Sequence, residues 1–299
     1  MHKQNRIGFH ARNWAELERV VNIEGVSLVE LKPDKLKERD NIQMYFYDGK
    51  SFVINEPIVK EIKAMCDEKG IHAQIHLPFE KKYDDSEERG LCQAEISHHP
   101  MILARYEMFG RLLDDYGIGY VLTTHPPSFG FGKKQLWSEQ QSLEAGIELY
   151  AKVDMLIKEK GYRFKLGIEN MMLPKKSGPI NIGYKPEHID MLIGNTSEIG
   201  ITVDSGHRRL NDEMSVSKLF SYGHVVNVHF HSNAGIFSAI DYKDDEHILA
   251  TRENLPYYNR YLKTFRRFRM PIVLEIGKLD KSSDEELGRY VMNLRKEIN

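Results

Sequence analysis

Short apolar runs in this chain end, one after another, in a histidine or a carboxylate: Ile-His76-Leu-Pro, Thr-Thr-His125-Pro, Gly-Ile-Glu169-Asn, Thr-Val-Asp204-Ser-Gly-His207, Val-His229-Phe-His231 and Leu-Glu275-Ile-Gly. A β/α barrel opens all its strand ends onto one mouth, so residues far apart in sequence meet at a single site. The repetition therefore predicts a parallel barrel with a metal cluster at its mouth.

The alternation of elements supports the same architecture. Strand-like runs at Arg6–His10, Ser27–Leu31, His72–Leu77, Tyr120–Thr124, Phe164–Glu169, Gly200–Asp204, Val225–Phe230 and Ile272–Ile276 are separated by helical periodicity. The helical stretches include Glu56–Lys69, Met101–Tyr116, Leu143–Lys160, Pro186–Ile193, Leu255–Phe268 and Ser283–Glu297, several of them followed by Gly. The 299 residues match one α/β domain over 1–299, a (β/α)8 TIM barrel with chain to spare over about 250 residues. Part of the surplus is a small hairpin after the second strand, Met44 to Ile54, turning at Asp48-Gly49. It is expected at the mouth, where it could cover a substrate. The connection from Ser232 to Asp245 is also long, and such loops at a barrel mouth usually carry function.

Composition excludes several alternatives. No apolar run approaches the roughly 18 to 20 residues of a membrane helix, and Met1-His2-Lys3-Gln4-Asn5-Arg6 lacks an apolar signal core, so a soluble, unexported chain is expected. Two cysteines, Cys66 and Cys92, provide neither a disulfide framework nor a thiolate zinc site, and a reducing cytoplasmic setting fits. A net charge of -2 gives no basic surplus and neither demands nor excludes a nucleic-acid partner.

Each motif has a chemical reading and a bland one. His76 and His125 are each followed by proline or by Leu-Pro, which stops the strand ladder and leaves the imidazole at the end; singly, each reads equally as a hydrogen-bonded histidine. Glu169 and Glu275 close apolar strands where a carboxylate is costly unless paired or bound to a cation, and a salt bridge is the alternative. Asp204 and His207 form the strongest local signal: Gly206 allows a tight bend that folds the imidazole back beside the carboxylate, the alternative being an Asp helix cap with a solvent-facing histidine. His229 and His231 share a strand face, and Asp245 and His247 are two residues apart in the long loop, within an acidic run that reads equally as solvated charge. His10 and Glu30 read as strand-end residues facing substrate. His98-His99-Pro100 reads as loop and cap, Arg208-Arg209 as a phosphate contact or local charge balance, and Lys263, Arg266, Arg267 and Arg269 as an exposed outer helix face.

Taken in order, His-x-Pro, His-Pro, Gly-x-Glu-Asn, Asp-x-x-His, His-x-His, Asp-x-His and Leu-Glu resemble the xylose isomerase-like superfamily, which contains endonuclease IV and many sugar isomerases and epimerases. The likeness covers nearly the whole chain and looks most like the three-zinc arrangement of endonuclease IV. That resemblance implies metal ligands at His76, His125, Glu169, Asp204, His207, His229, Asp245, His247 and Glu275, with Glu169 bridging, and leaves the choice between His229 and His231 open at strand seven. Contacts to substrate are expected from His10, Glu30, His231 and Arg208. Three departures weaken the case for abasic DNA: Phe79 where endonuclease IV has a tyrosine, Ile248-Leu-Ala-Thr-Arg-Glu in place of a glycine-rich segment, and Pro126-Pro127 in place of Pro-Gly.

A thiolate-free shell of histidines and carboxylates suits zinc, with manganese, iron or cobalt as alternatives, and two or three ions are expected. Two functions compete. A multinuclear site would activate water for phosphoester hydrolysis. A sugar isomerase or epimerase would use one metal held by Glu169, Asp204, His229 and Glu275, with Glu169 and Glu275 as the acid/base pair. The four-residue subset would leave five candidate ligands without a metal, so ligand count favours hydrolysis. The substrate is then a small phosphoester, a sugar or abasic nucleic acid, with no membrane partner. A non-catalytic binding barrel is the third class, and it would show strand-end residues without chelating geometry.

Overall fold

The structure is a computed structural model that describes residues 5–33, 43–77, 91–131, 134–173, 179–211, 215–221, 224–233, 246–277 and 279–299. Eight parallel strands close a ring: β1 (Ile7–Ala11), β2 (Leu28–Leu31), β5 (His72–His76), β6 (Val121–Thr124), β9 (Lys165–Glu169), β11 (Ile199–Asp204), β12 (Val225–His229) and β13 (Ile272–Leu274). Each expected strand is present to within two residues at its ends. The ring shuts where β1 pairs with both β2 and β13, Ile7 opposite Ile272 and His10 opposite Glu30.

Helices α1 (Trp14–Val20), α2 (Glu56–Glu68), α3 (His99–Asp114), α4 (Glu139–Lys160), α5 (Pro186–Ile193), α6 (Ser205–Arg209), α7 (Val216–Ser221), α8 (Tyr258–Phe268) and α9 (Asp284–Ile298) surround the strands. Their ends follow ordinary capping chemistry. Ser138 and Gln141 form a capping box at the start of α4, which Gly161 closes in the left-handed conformation, and Ser283 with Glu286 repeats the box at α9. The apolar core lies between strands and helices, where Phe230, Tyr261 and Phe265 pack ring on ring. Among the described residues no helix is long and apolar enough to cross a membrane.

The hairpin β3 (Tyr45–Tyr47) and β4 (Phe52–Ile54) forms as expected, with Asp48 accepting from the Lys50 and Ser51 amides at its turn. Its buried ring Tyr45 meets Phe109 edge-on at 5.2 Å, so the hairpin packs on α3. A second mouth decoration was not expected: β7 (Ser128–Phe131) pairs antiparallel with both β8 (Lys134–Gln135) and β10 (Pro179–Asn181). The basic residues Lys263, Arg266, Arg267 and Arg269 are exposed, as expected of an outer helix face. Both cysteines are buried, and neither is in a disulfide among the described residues.

Inward-facing polar residues recur with the strand period of two. Gln74 precedes His76, Thr123 precedes His125, Thr202 precedes Asp204, Asn227 precedes His229, and Glu30 precedes Lys32, each by two positions. Those first residues form one hydrogen-bonded floor. Glu30 Oε2 accepts from Gln74 Nε2 at 2.8 Å and from Asn227 Nδ2 at 3.0 Å, and Thr123 Oγ1 is 3.1 Å from Thr202 Oγ1. Gly167 takes its place in this layer because a Cβ there would lie 2.2 Å from Thr202 Oγ1. A barrel interior is ordinarily filled by branched apolar side chains; here a polar floor supports the residues above it.

Candidate metal centre

Glu169 sits at the middle of the mouth, 1% exposed, at the end of β9. One oxygen, Oε2, lies 3.2 Å from both His76 Nε2 and His125 Nε2. The other, Oε1, lies 3.1 Å from His207 Nδ1 and 3.5 Å from His229 Nδ1. His76 is pinned through Nδ1 to the Leu77 carbonyl at 2.9 Å, and its ring meets that of His125 edge-on.

Asp204 serves both readings of its motif. Its Oδ1 accepts from the His207 amide at 2.6 Å, capping α6, while Oδ2 faces the site 3.0 Å from His231 Nε2 and 3.7 Å from His229 Nδ1. His207 is buried rather than solvent-facing, with Nδ1 also 3.0 Å from the Asn170 carbonyl. Gly206 leaves no room for a side chain at this bend while His231 keeps its place, because a Cβ would lie 2.0 Å from His231 Cε1. The His231 ring in turn stacks on that of His247 at 4.2 Å and 7°.

Glu275 follows β13 and divides its oxygens in the same way. Oε1 accepts from Lys32 Nζ at 2.8 Å and lies 3.3 Å from His10 Nδ1, and Oε2 lies 3.0 Å from His229 Nδ1 and 4.0 Å from His247 Nδ1. Lys32 is the residue that sequence reasoning missed: in Leu-Lys-Pro it reads as the start of a loop, although its period-two relation to Glu30 marks it as inward-facing.

The buried charges shift one another in consistent directions. Burial works to raise the Glu169 carboxyl, but the facing His229 and His125 rings hold it well below the usual carboxylate range. Burial likewise opposes ionisation of Glu275, and Lys32 and then His229 overcome it. His229 is driven well above 6.5: burial alone would lower it, and Glu30, Glu169 and Glu275 reverse that. His10 falls to about 4, mainly through burial and then the Lys32 charge, and His125 falls to about 4, mainly through burial.

These residues suit a divalent cation. The ligand atoms of Glu169, Asp204, His229 and Glu275 all lie within 4.8 Å of one another, as do those of His76, His125 and Glu169, and those of His231, His247 and Glu275. Both ring nitrogens of His229 are buried without an aligned hydrogen-bond partner although carboxylate oxygens crowd them. A buried polar atom in that state is costly unless something else satisfies it. Oxygen and imidazole donors without thiolates are compatible with several first-row metals.

The expected residues are thus mostly gathered. His76, His125, Glu169, Asp204, His207, His229 and Glu275 meet at the mouth, His231 stands against Asp204, and His247 lies at the edge. Asp245 lies outside the described residues, as does Phe79. Two of the expected substrate contacts are placed differently. Glu30 does not end its strand at the mouth: it is fully buried in the floor beneath His229, because β2 continues to Leu31 and it is Lys32 that reaches the mouth. The Arg208 guanidinium lies 5.3 Å from the Tyr257 ring centre, and Arg209 holds the loops through Ser232 Oγ at 2.7 Å and the Asn233 and Asn254 carbonyls. His10 is buried behind Glu275.

No family model matches the sequence, and no curated protein matches it. Solved structures do match over nearly the full chain. A D-psicose 3-epimerase from Clostridium cellulolyticum H10, crystallised with D-tagatose, superposes with a TM-score of 0.62 at 12% identity, covering 98% of this chain and 95% of its own. A 3-keto-D-glucoside 4-epimerase from E. coli gives 0.61 at 12% identity, with 98% and 100% covered. A xylose isomerase domain protein from Alicyclobacillus acidocaldarius gives 0.58 at 16% identity, with 99% and 98% covered. The chain therefore has the xylose isomerase-like barrel fold. A dehydratase is also among the matches, so the fold by itself does not select the reaction.

Proposed function

We propose that this protein is a divalent-cation-dependent isomerase or epimerase acting on a sugar or a close sugar derivative. The observation that carries the proposal is the buried convergence of Glu169, Asp204, His229 and Glu275, the four-residue set that a one-metal isomerase requires. The epimerase names among the structural matches point the same way. A cation held by these four side chains would polarise adjacent hydroxyl and carbonyl oxygens of a sugar and make the C–H of the hydroxyl-bearing carbon next to the carbonyl more acidic.

The chain's own carboxylates do the rest. Glu169 and Glu275 approach His229 Nδ1 from different strands, at 3.5 and 3.0 Å, and so stand at separate positions around one point. One takes the proton from the carbon next to the carbonyl, leaving an enediolate. For epimerisation the other carboxylate, first protonated from solvent, delivers its proton to that carbon from the opposite face while the first releases the proton it took; for isomerisation the first returns its proton to the neighbouring carbon as a proton passes between the two oxygens, so no net proton is gained or lost. Lys32 keeps Glu275 ionised and ready to accept. Proton transfer by a positioned group of this kind contributes about 10²- to 10⁴-fold.

The test is a panel of ketoses and aldoses incubated in D2O with enzyme and Mn, Co, Mg or Zn. The expected result is deuterium at one carbon of the reacting sugar, lost by at least about two orders of magnitude in Glu169→Gln and Glu275→Gln. Phosphoester hydrolysis, which ligand count favoured in the sequence, is the second reading, and the convergence of His76, His125 and Glu169 is the observation in its favour. Cleavage of a phosphodiester by zinc-loaded enzyme, with every sugar left unlabelled, would reverse the order.

A further inference from the structure

The floor of the barrel contains a carboxylate that the proton-transfer scheme does not use. Glu30 is fully buried, and its two oxygens have different surroundings. Oε2 takes amide protons from Gln74 and Asn227, at 2.8 and 3.0 Å, with the Thr123 hydroxyl at 3.4 Å. These donors come from three other strands and fix the carboxylate in rotation. Oε1 is thereby left facing upward, 2.9 Å from His229 Nε2.

We propose that Glu30 is the positioning residue of His229: by occupying Nε2 from below, it presents Nδ1, and only Nδ1, to a cation shared with Glu169, Asp204 and Glu275. The inference rests on the cation-dependent reading above and adds to it the identity of the donor atom and the residue that selects it. The surroundings of the two ring nitrogens make the assignment. Around Nδ1 lie three carboxylate oxygens from three strands, at 3.0, 3.5 and 3.7 Å. Near Nε2 lies Glu30, whose other oxygen is already saturated by the floor. Glu30 Oε1 and Nε2 are at contact distance but off the hydrogen-bond axis, so both remain unsatisfied. A small turn of the ring satisfies both, and hydrogen bonding of a ligating histidine's second nitrogen to a carboxylate typically fixes the ring and raises its basicity toward the metal.

The placement also explains why a charged side chain is retained in a barrel interior. An isolated buried carboxylate is costly, and this one is compensated by two amides, a hydroxyl and an imidazole. The competing arrangement is a cation bound on the lower side, between Glu30, His76 and His229, whose ligand atoms are also within 4.8 Å of one another. That arrangement would place Nε2 on the metal.

The decisive experiment is long-range proton–nitrogen NMR of histidine-labelled protein loaded with zinc alone, with the His229 signals assigned by their disappearance in His229→Gln. The proposal requires a protonated Nε2 and a metal-shifted Nδ1; a metal-shifted Nε2 overturns it. Cobalt titration of Glu30→Gln, followed by calorimetry and visible absorption, gives an independent readout. Affinity should fall about 10- to 100-fold with an altered spectrum. If Glu30→Gln folds and binds cobalt as the parent does, Glu30 is a structural residue only and the proposal fails while the cation reading stands. If the parent itself takes up neither zinc nor cobalt, the cation reading fails and this inference with it. The NMR measurement needs no Glu30 variant, so it decides the question even if Glu30→Gln does not fold.

Discussion

Replacing Lys32 with methionine removes the one ammonium group that touches Glu275 among the described residues while keeping most of the side-chain volume. Glu275 is 4% exposed, so the carboxylate left behind has little water to turn to. Among the described residues its remaining neighbour on Oε1 is His10 at 3.3 Å, which burial holds toward the neutral form. Breaking one side of a buried ion pair costs about 3–5 kcal/mol, and although His229 still faces Oε2 at 3.0 Å, the survivor stays buried with its main counter-charge gone. At ~2–4 °C per kcal/mol for a large domain, metal-free Lys32→Met should melt roughly 6–20 °C below the parent. The control is Lys218→Met, whose partner Asp190 lies at 3.0 Å with side chains 41% and 46% exposed, and it should cost no more than ~1 kcal/mol. Two dependences accompany the loss. The gap should narrow as pH falls, since Glu275 in the variant can take up a proton, and it should narrow with a divalent cation, which replaces the missing positive charge. Chemical unfolding at pH 7 in EDTA is the assay. If Lys32→Met and Lys218→Met are equally mild, Glu275 is not held by that ammonium and the electrostatic account of the mouth is wrong.

Gly206→Ala would put a Cβ 2.0 Å from His231 Cε1, so it should force that ring away and loosen its hold on Asp204, costing about 1–3 kcal/mol in unfolding free energy; a variant structure with His231 in place would contradict this. The metal-free protein should lose stability on mild acidification. His10 and His125, lowered from 6.5 to about 4, favour folding fully above pH 6.5 and cease to do so as pH drops toward 4, about 3 kcal/mol each at ~1.36 kcal/mol per pH unit. His229 acts in the opposite sense: its value is raised, so its contribution is complete below 6.5 and disappears as pH climbs through the higher folded value. Urea midpoints in EDTA should therefore peak near neutrality, and a midpoint that rises steadily from pH 7 to pH 5 would be incompatible with neutral buried His10 and His125. Tyr150→Phe removes a hydroxyl that donates to Gln93 at 2.8 Å and to the His125 carbonyl at 3.2 Å, and should cost about 1 kcal/mol in thermal unfolding.

The barrel was legible because each strand is a short apolar run with a definite stop, and proline after His76 and His125 marks that stop in the sequence itself. Helix α1 was not read: it is seven residues long, and Asn13, whose side chain caps it through the Glu16 amide, gives little periodic signal. The β7, β8 and β10 sheet was missed for a different reason. Asn181 pairs with Ser128 across more than fifty residues, and no local pattern records such a partnership. At the site, the residues that close strands were visible, whereas those that support them were not. Gln74, Thr123 and Asn227 read as incidental polarity in a strand until the period of two is carried back from His76, His125 and His229. The preference for hydrolysis came from counting ligands. That count took His76, His125, His207, Asp245 and His247 as ligands in need of metals, yet in the structure His76, His125 and His207 each stand 3.1–3.2 Å from a Glu169 oxygen, so a histidine at a strand end can serve a carboxylate rather than a metal of its own.

The way the ring closes has a bearing on how this molecule is made. The four residues of the proposed cation set lie on or directly after β9, β11, β12 and β13, the later half of the barrel, while Glu30 lies on β2 and Lys32 directly follows it. During vectorial synthesis Lys32 emerges 243 residues before its partner Glu275 and lacks that counter-charge until Ile272 docks beside Ile7, while Glu30 waits for His229 at the end of β12. The nascent sheet must therefore keep an open seam and an unbalanced interior until its last strand arrives, and it is in that interval that the chain is most exposed to mispairing and to chaperones.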